Sequence, residues 1–191
     1  MRANRAKRGP KIILIVLIII LIGIIGSVLL INRYFPVRYE EIIHEWAEVY
    51  DLEPALVFAV INTESGFRAN VVSRVGASGL MQIMEDTAYW IAPMAGLDDF
   101  NYDQILDPEI NVRLGTFYLN MLIRRFDDID VALSAYNAGS TNVNNWLENP
   151  DYSSDGETLD HIPFLETRNF VERVNNRMRI YRIILGFNDI F

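Results

Sequence analysis

Apolar residues are distributed along this chain in two different ways. From Ile12 to Ile31 there are twenty residues without a charge, aliphatic except at Gly23, Gly26 and Ser27. A helix of that length rises about 30 Å, the thickness of a bilayer core. From Tyr39 onward the apolar residues recur at helical intervals between turn residues. The pattern predicts a helix over Tyr39–Tyr50 with Ile42, Ile43, Trp46 and Val49 on its apolar side. Pro54 suits the first turn of the next helix, which runs to about Ser65 and is apolar on every side, so it is expected at the centre of the domain. Gly66 to Gly79 reads as irregular, with room for a small hairpin but no clear alternation. Asp86 is expected to cap a helix reaching Pro93, and Asp107-Pro108 to open one reaching Phe126. Leu114, Phe117, Tyr118, Met121 and Leu122 form the apolar stripe of the latter. Asp130 is expected to begin a short helix ending at Asn137-Ala138-Gly139, and Ser140 or Thr141 another through Leu147. After a polar loop, Asn149 to Asp160, the last helix is expected over Pro163–Leu185. The fold class is mostly α: an orthogonally packed helical domain preceded by one N-terminal transmembrane helix.

The flanks of the long apolar stretch orient it. Arg2, Arg5, Lys7, Arg8 and Lys11 precede it with no acid among them, which places the N-terminus in the cytoplasm. A cleaved signal peptide is the alternative. Its apolar core is usually shorter, about 7–15 residues, and ends in a small-x-small site, so an uncleaved anchor is expected. The chain then divides into a cytoplasmic basic tail (1–11), an anchor (12–31), a linker broken by Pro36 (32–38) and an extracytoplasmic domain (39–191). Residues 36–191 hold all 25 acids and 11 of the 17 Lys and Arg, a net charge of −14. That charge argues against nucleic-acid binding and against docking on anionic headgroups, so the tether must supply the membrane attachment.

There are no cysteines, so disulfides and thiolate metal sites are excluded. The only histidines, His44 and His161, are far apart and form no ligand pair. No metal and no cofactor is expected.

Glu64 is the residue with the clearest chemical promise. It ends the apolar run Ala55 to Ile61 and, in a helix, falls on the face of Val57, Val60 and Ile61. Desolvation there raises a carboxyl pKa and keeps a proton available near neutral pH, which is what a general acid needs. A carboxylate turned to water, or paired with Arg68, is the alternative reading of the same spacing.

Four short motifs accompany it: Glu64-Ser65-Gly66-Phe67, Gly79-Leu80-Met81-Gln82-Ile83, Ala135-Tyr136-Asn137-Ala138-Gly139, and Ile162-Pro163-Phe164-Leu165-Glu166-Thr167-Arg168. Their order and spacing resemble the lytic transglycosylases of the soluble (SLT) type, which have a lysozyme-like fold and cut peptidoglycan. The resemblance covers about residues 38–185. It implies that Glu64 is the sole catalytic acid and base, and that Tyr136 and Asn137 lie beside it and orient the substrate's acetamide. It implies further that Met81 and Gln82 line the saccharide cleft, with Met81 as an apolar wall, and that Glu166 faces the reacting sugar across it. Ser65 either bonds substrate or caps the helix. The segment Arg68-Ala69-Asn70-Val71-Val72 departs from the family's usual Asn-Pro-Asn-Ala-Val. Between Ser65 and Met84 there is no Asp or Glu. An ordinary glycosidase needs a second carboxylate about 5–9.5 Å from the acid, so its local absence favours the non-hydrolytic reaction. The expected enzyme is a single-pass protein of the cytoplasmic membrane with its catalytic domain outside, acting on peptidoglycan glycan strands; no protein partner is specified. A goose-type lysozyme-like hydrolase and a non-catalytic wall-binding module are the competing readings.

Overall fold

The computed structural model describes residues 9–188, with side chains described for 12–186. The basic tail expected at 1–11 therefore lies almost wholly outside the described residues. Two compact units divide between Val37 and Arg38.

The first unit is one helix, α1 (Gly9–Tyr34). Its stretch Ile12–Tyr34 is long and apolar enough to cross a membrane, and none of it is buried by protein. The helix runs three residues past the expected anchor end. Asn32, Arg33 and Tyr34 continue it because nothing before Pro36 interrupts the backbone ladder, so the first three residues of the expected linker are helical.

The second unit is built from α2 (Glu40–Val49), α3 (Pro54–Glu64), α4 (Glu85–Ile91), α5 (Pro108–Phe126), α6 (Ile129–Ala138), α7 (Ser140–Leu147) and α8 (Leu165–Asn188), with a 3-10 turn at Tyr102–Gln104. Among the described residues there is no β-strand, only single bridges pairing Ser78 with Val72 and with Ile83. The helix α3 is the centre: every side chain from Ala55 to Asn62 is buried. It packs mainly on α8, whose Phe170, Val174 and Tyr181 face inward. Phe58, Phe67 and Tyr181 form a three-ring cluster, with Phe58 5.8 Å from Phe67 and 5.3 Å from Tyr181 and the latter two 6.4 Å apart, centroid to centroid. A second apolar cluster joins Leu122 of α5, Val131 and Ala135 of α6, and Val143 and Trp146 of α7.

Three expectations about helix starts and faces are corrected. Asp86 does not cap α4; Met84 occupies the cap position and Asp86 sits inside the first turn, where its charge still complements the helix dipole. Asp130 does not begin α6 either. Asp128 does, its carboxylate accepting the Val131 N–H at 2.8 Å. On α2 the buried residues are Ile43 and Ala47, while Val49 is exposed in the last turn. Asp107, in contrast, caps α5 as the Asp-Pro pair predicts, accepting from the N–H groups of Glu109 and Ile110.

Candidate active site

Glu64 is the last residue of α3, at the end of the most deeply buried helix of the domain. Burial pushes its carboxyl up from 4.5 to about 8; the Arg173 guanidinium opposes the rise and the Glu166 carboxylate adds to it. The carboxyl group is therefore protonated at neutral pH. Among the described residues it has neither a hydrogen bond nor an ion pair. Arg68, the partner considered from sequence, instead donates from Nε to the Ser65 carbonyl at 2.8 Å. The one ion pair among the described residues joins Glu53 and Arg182 on the surface.

The segment after α3 is shaped by glycine and one asparagine. Gly79 has φ +81°, and a Cβ there would collide with the Asn111 amide and the Ile105 carbonyl. Asn111, fully buried on α5, accepts the Met81 N–H at 2.7 Å and donates to the carbonyls of Ser78 and Ile105 at 3.0 and 2.9 Å. This one side chain ties the loop to the core. The sequence reading missed it, although a polar residue on the buried stripe of an otherwise amphipathic helix was a visible signal.

Held this way, Met81 is 0% exposed and fills the space over Gly115, whose own Cβ would strike it. The expectation that Met81 forms an apolar wall for a sugar is corrected: its side chain is in the core because Gly115 leaves a hole there. What it offers the site is its carbonyl, which accepts the Tyr136 hydroxyl at 2.8 Å. Ser65 is also buried, 1% exposed, and its hydroxyl donates to the Ile61 carbonyl at 3.2 Å. Of its two expected roles, the structure places it in the helix end.

Gln82 has φ +51° and donates from Nε2 to the carbonyls of Val71 and Gly79. Oε1 is left as an acceptor. Tyr136 and Asn137 stand near the C-terminal end of α6. Burial, the Glu64 charge and Tyr118 hold the Tyr136 phenol well above its usual range, so it stays neutral. Asn137 accepts the Thr167 hydroxyl at 2.8 Å through Oδ1, which leaves Nδ2 as a donor. Thr167, another residue the sequence reading missed, belongs to the first turns of α8. Glu166 lies there too, exposed, with its carboxylate in the electrostatic field of Glu64.

A cleft of about 260 Å³ opens between these elements. Gln82, Tyr136 and Asn137 line it, together with Met84 and Thr87, which the sequence did not single out, and Tyr118, which was expected only as part of the apolar stripe of α5. Glu64 is not itself a lining residue, yet it is near enough to Tyr136 to raise the phenol's pKa. The arrangement provides a neutral acid close to the cleft residue Tyr136, with one free amide donor on Asn137 and one free amide acceptor on Gln82.

Known proteins resemble this chain in sequence and in fold. The family model for the transglycosylase SLT domain matches residues 41–158. The soluble lytic murein transglycosylase of Salmonella typhimurium is 36% identical over 82% of this chain and 25% of its own length. The membrane-bound lytic murein transglycosylase C of Edwardsiella ictaluri is 28% identical, over 77% of this chain and 47% of its own. Among solved structures, the 70 kDa soluble lytic transglycosylase of Escherichia coli has a TM-score of 0.72 and 31% identity, covering 82% of this chain and 26% of that one. An inactive Glu-to-Gln mutant of the lytic transglycosylase Slt of Pseudomonas aeruginosa has the same TM-score with 32% identity. The chain thus spans about a quarter of the length of the soluble relatives it matches. With the family model covering more than half of the chain and the helices sharing the lysozyme-like architecture of those structures, the chain belongs to the transglycosylase SLT domain family.

Proposed function

We propose that this protein is a membrane-anchored lytic transglycosylase that cuts the β-1,4 bond between N-acetylmuramic acid and N-acetylglucosamine in peptidoglycan without consuming water. The single observation that carries the reading is Glu64, a carboxylic acid at the end of the buried helix α3 that burial holds protonated and whose charge reaches the cleft residue Tyr136. In the proposed reaction its proton passes to the glycosidic oxygen as the C1–O bond breaks. The resulting carboxylate then takes the proton of the muramoyl C6 hydroxyl while O6 bonds to C1, closing a 1,6-anhydro ring. One group serves as acid and then as base, and it ends protonated as it began. Asn137 Nδ2 is the donor suited to the substrate's acetamide oxygen, and Gln82 Oε1 the acceptor for an amide or hydroxyl. Tyr136 keeps the Met81 carbonyl occupied beside the acid. Glu166, exposed on the first turn of α8 and close enough for its charge to act on Glu64, is assigned to the far side of the reacting sugar.

A second reading rests on that same Glu166. Its charge is felt by Glu64, so it answers the need for a second carboxylate that the stretch between Ser65 and Met84 leaves open. With Glu166 as base for a water molecule the enzyme would be a muramidase. The two readings differ by one water in the product. Purified peptidoglycan digested with the full chain in detergent should yield muropeptides one water lighter than hydrolysed fragments, and Glu64→Gln should yield none. Hydrated products with reducing ends, lost in Glu166→Gln, would establish the hydrolase instead.

The anchor is part of the proposal. The apolar length of α1, its basic flank in the sequence and the membrane-bound relatives support a single-pass topology with the N-terminus inside and the domain outside. The short linker would then keep the domain on glycan nearest the membrane.

A further inference from the structure

Trp90 is an exposed aromatic that the proposed reaction does not use. The helix α4 brings Thr87 to the lining of the cleft, with Met84 at its cap, and Trp90 follows one turn later. An indole carries one of the largest apolar surfaces a side chain can bury, yet Trp90 is 56% exposed. The other two tryptophans are explained by packing. Trp46 donates from its ring N–H to Glu109 at 2.6 Å and stacks on Tyr50. Trp146 is 6% exposed against Phe164. Trp90 meets Tyr118, a cleft residue, edge to face, with centroids 6.3 Å apart and planes at 78°. That contact fixes the indole beside the cleft and leaves much of its surface to water. Met84, at the cap of α4 and in the cleft lining, and Met94, just past the end of the helix, are also exposed.

The occupant is indicated by charge and by continuity. Pyranose rings present C–H faces that pack on aromatic rings and thioethers, and an N-acetylated glycan backbone is neutral. The domain is strongly acidic, which favours a neutral ligand over an anionic lipid surface. A polymer seated in the cleft also has to leave it across the rim. We propose that Trp90, steadied by Tyr118, is a stacking platform for a sugar ring of the glycan strand outside the cleft. This rests on the reading of the cleft as a glycan site.

The test uses the full chain carrying Glu64→Gln in detergent micelles, titrated with the β-1,4 N-acetylglucosamine hexamer and followed by calorimetry and tryptophan emission. The expected result is a blue shift on binding. Trp90→Ala should weaken affinity about tenfold and remove the shift, with no change in melting temperature, and Trp90→Phe should recover most of the affinity. Asn137→Ala separates the two layers of the argument. If it weakens binding while Trp90→Ala does not, the platform is overturned and the cleft stands. If the parent does not bind the hexamer, or neither substitution matters, both readings fall. Unchanged saccharide affinity with reduced retention on phosphatidylglycerol vesicles in Trp90→Ala would overturn the platform in favour of a lipid contact.

Discussion

The helices α1 and α3 have nearly the same sequence character and opposite surroundings. Both are apolar around their whole circumference. Between Ala55 and Asn62 every side chain of α3 is enclosed by protein, whereas α1 has no protein over its apolar residues. Uniform apolarity therefore states only that water must be absent; it does not say what replaces it. The difference has a chemical consequence at the helix ends. The helix α3 closes with Glu64, whose carboxyl group inherits the low dielectric of the core and keeps its proton, whereas α1 has no acid at all.

The same substitution should break the two helices in different ways. Val60→Arg places an unpaired guanidinium where the side chain is fully buried. We expect a loss of more than about 4 kcal/mol and no cooperative melting transition by circular dichroism. Glu64→Gln should leave that transition in place and reduce cleavage about 10³-fold, measured as muropeptide release. Ile20→Arg in α1 should leave the domain's melting unchanged but oppose insertion by roughly 3 kcal/mol, read as a shift from the membrane to the soluble fraction on flotation.

The carboxyl at the end of α3 also predicts a pH dependence. In the unfolded chain it ionises near 4.5 and in the folded one at about 8. Between those values the folded state holds a proton that the unfolded state has released. The associated stability is complete below pH 4.5 and declines as pH rises to about 8. Glu64→Gln removes the ionisation, so its stability advantage over wild type should grow from near zero at pH 4 to on the order of 2 kcal/mol at pH 9, by denaturant melts at each pH. The wild-type cleavage rate should fall over the upper part of that window as the general acid ionises. The smallest effect is expected at the surface: Arg182→Ala breaks the exposed pair with Glu53 and should change stability by less than about 1 kcal/mol in the same melts.

Much of the fold was legible because local chemistry and tertiary demand agreed. Asp107-Pro108 starts α5, Gly139 separates α6 from α7, and the Phe170, Val174, Tyr181 spacing marks the buried face of α8. Errors arose where two polar residues competed for one role. Asp128 and Asp130 both suit a cap, and the one whose carboxylate reaches the Val131 N–H takes it. The site was harder. Met81 and Ser65 fall in motifs that suggest contact with substrate, but a hole above Gly115 and a carbonyl at Ile61 draw both side chains inward. Asn111 is far from every motif in sequence and still organises the loop that carries Gln82.

By itself the sequence determined the apolar helix of membrane length, the helical architecture of the acidic domain, and a carboxyl at the end of its central helix. Those properties depend on neighbours within a few turns of the same chain. That the carboxyl stays protonated was settled by tertiary packing, through burial of the end of α3, which packs mainly on α8. Tertiary packing also decided which atoms of Gln82 and Asn137 are left free, and that Trp90 stays exposed beside the cleft. For Asn137 and Trp90 the deciding residues, Thr167 and Tyr118, lie tens of positions away, whereas Gln82 is held by the nearer carbonyls of Gly79 and Val71 in a loop that Asn111 fixes from α5.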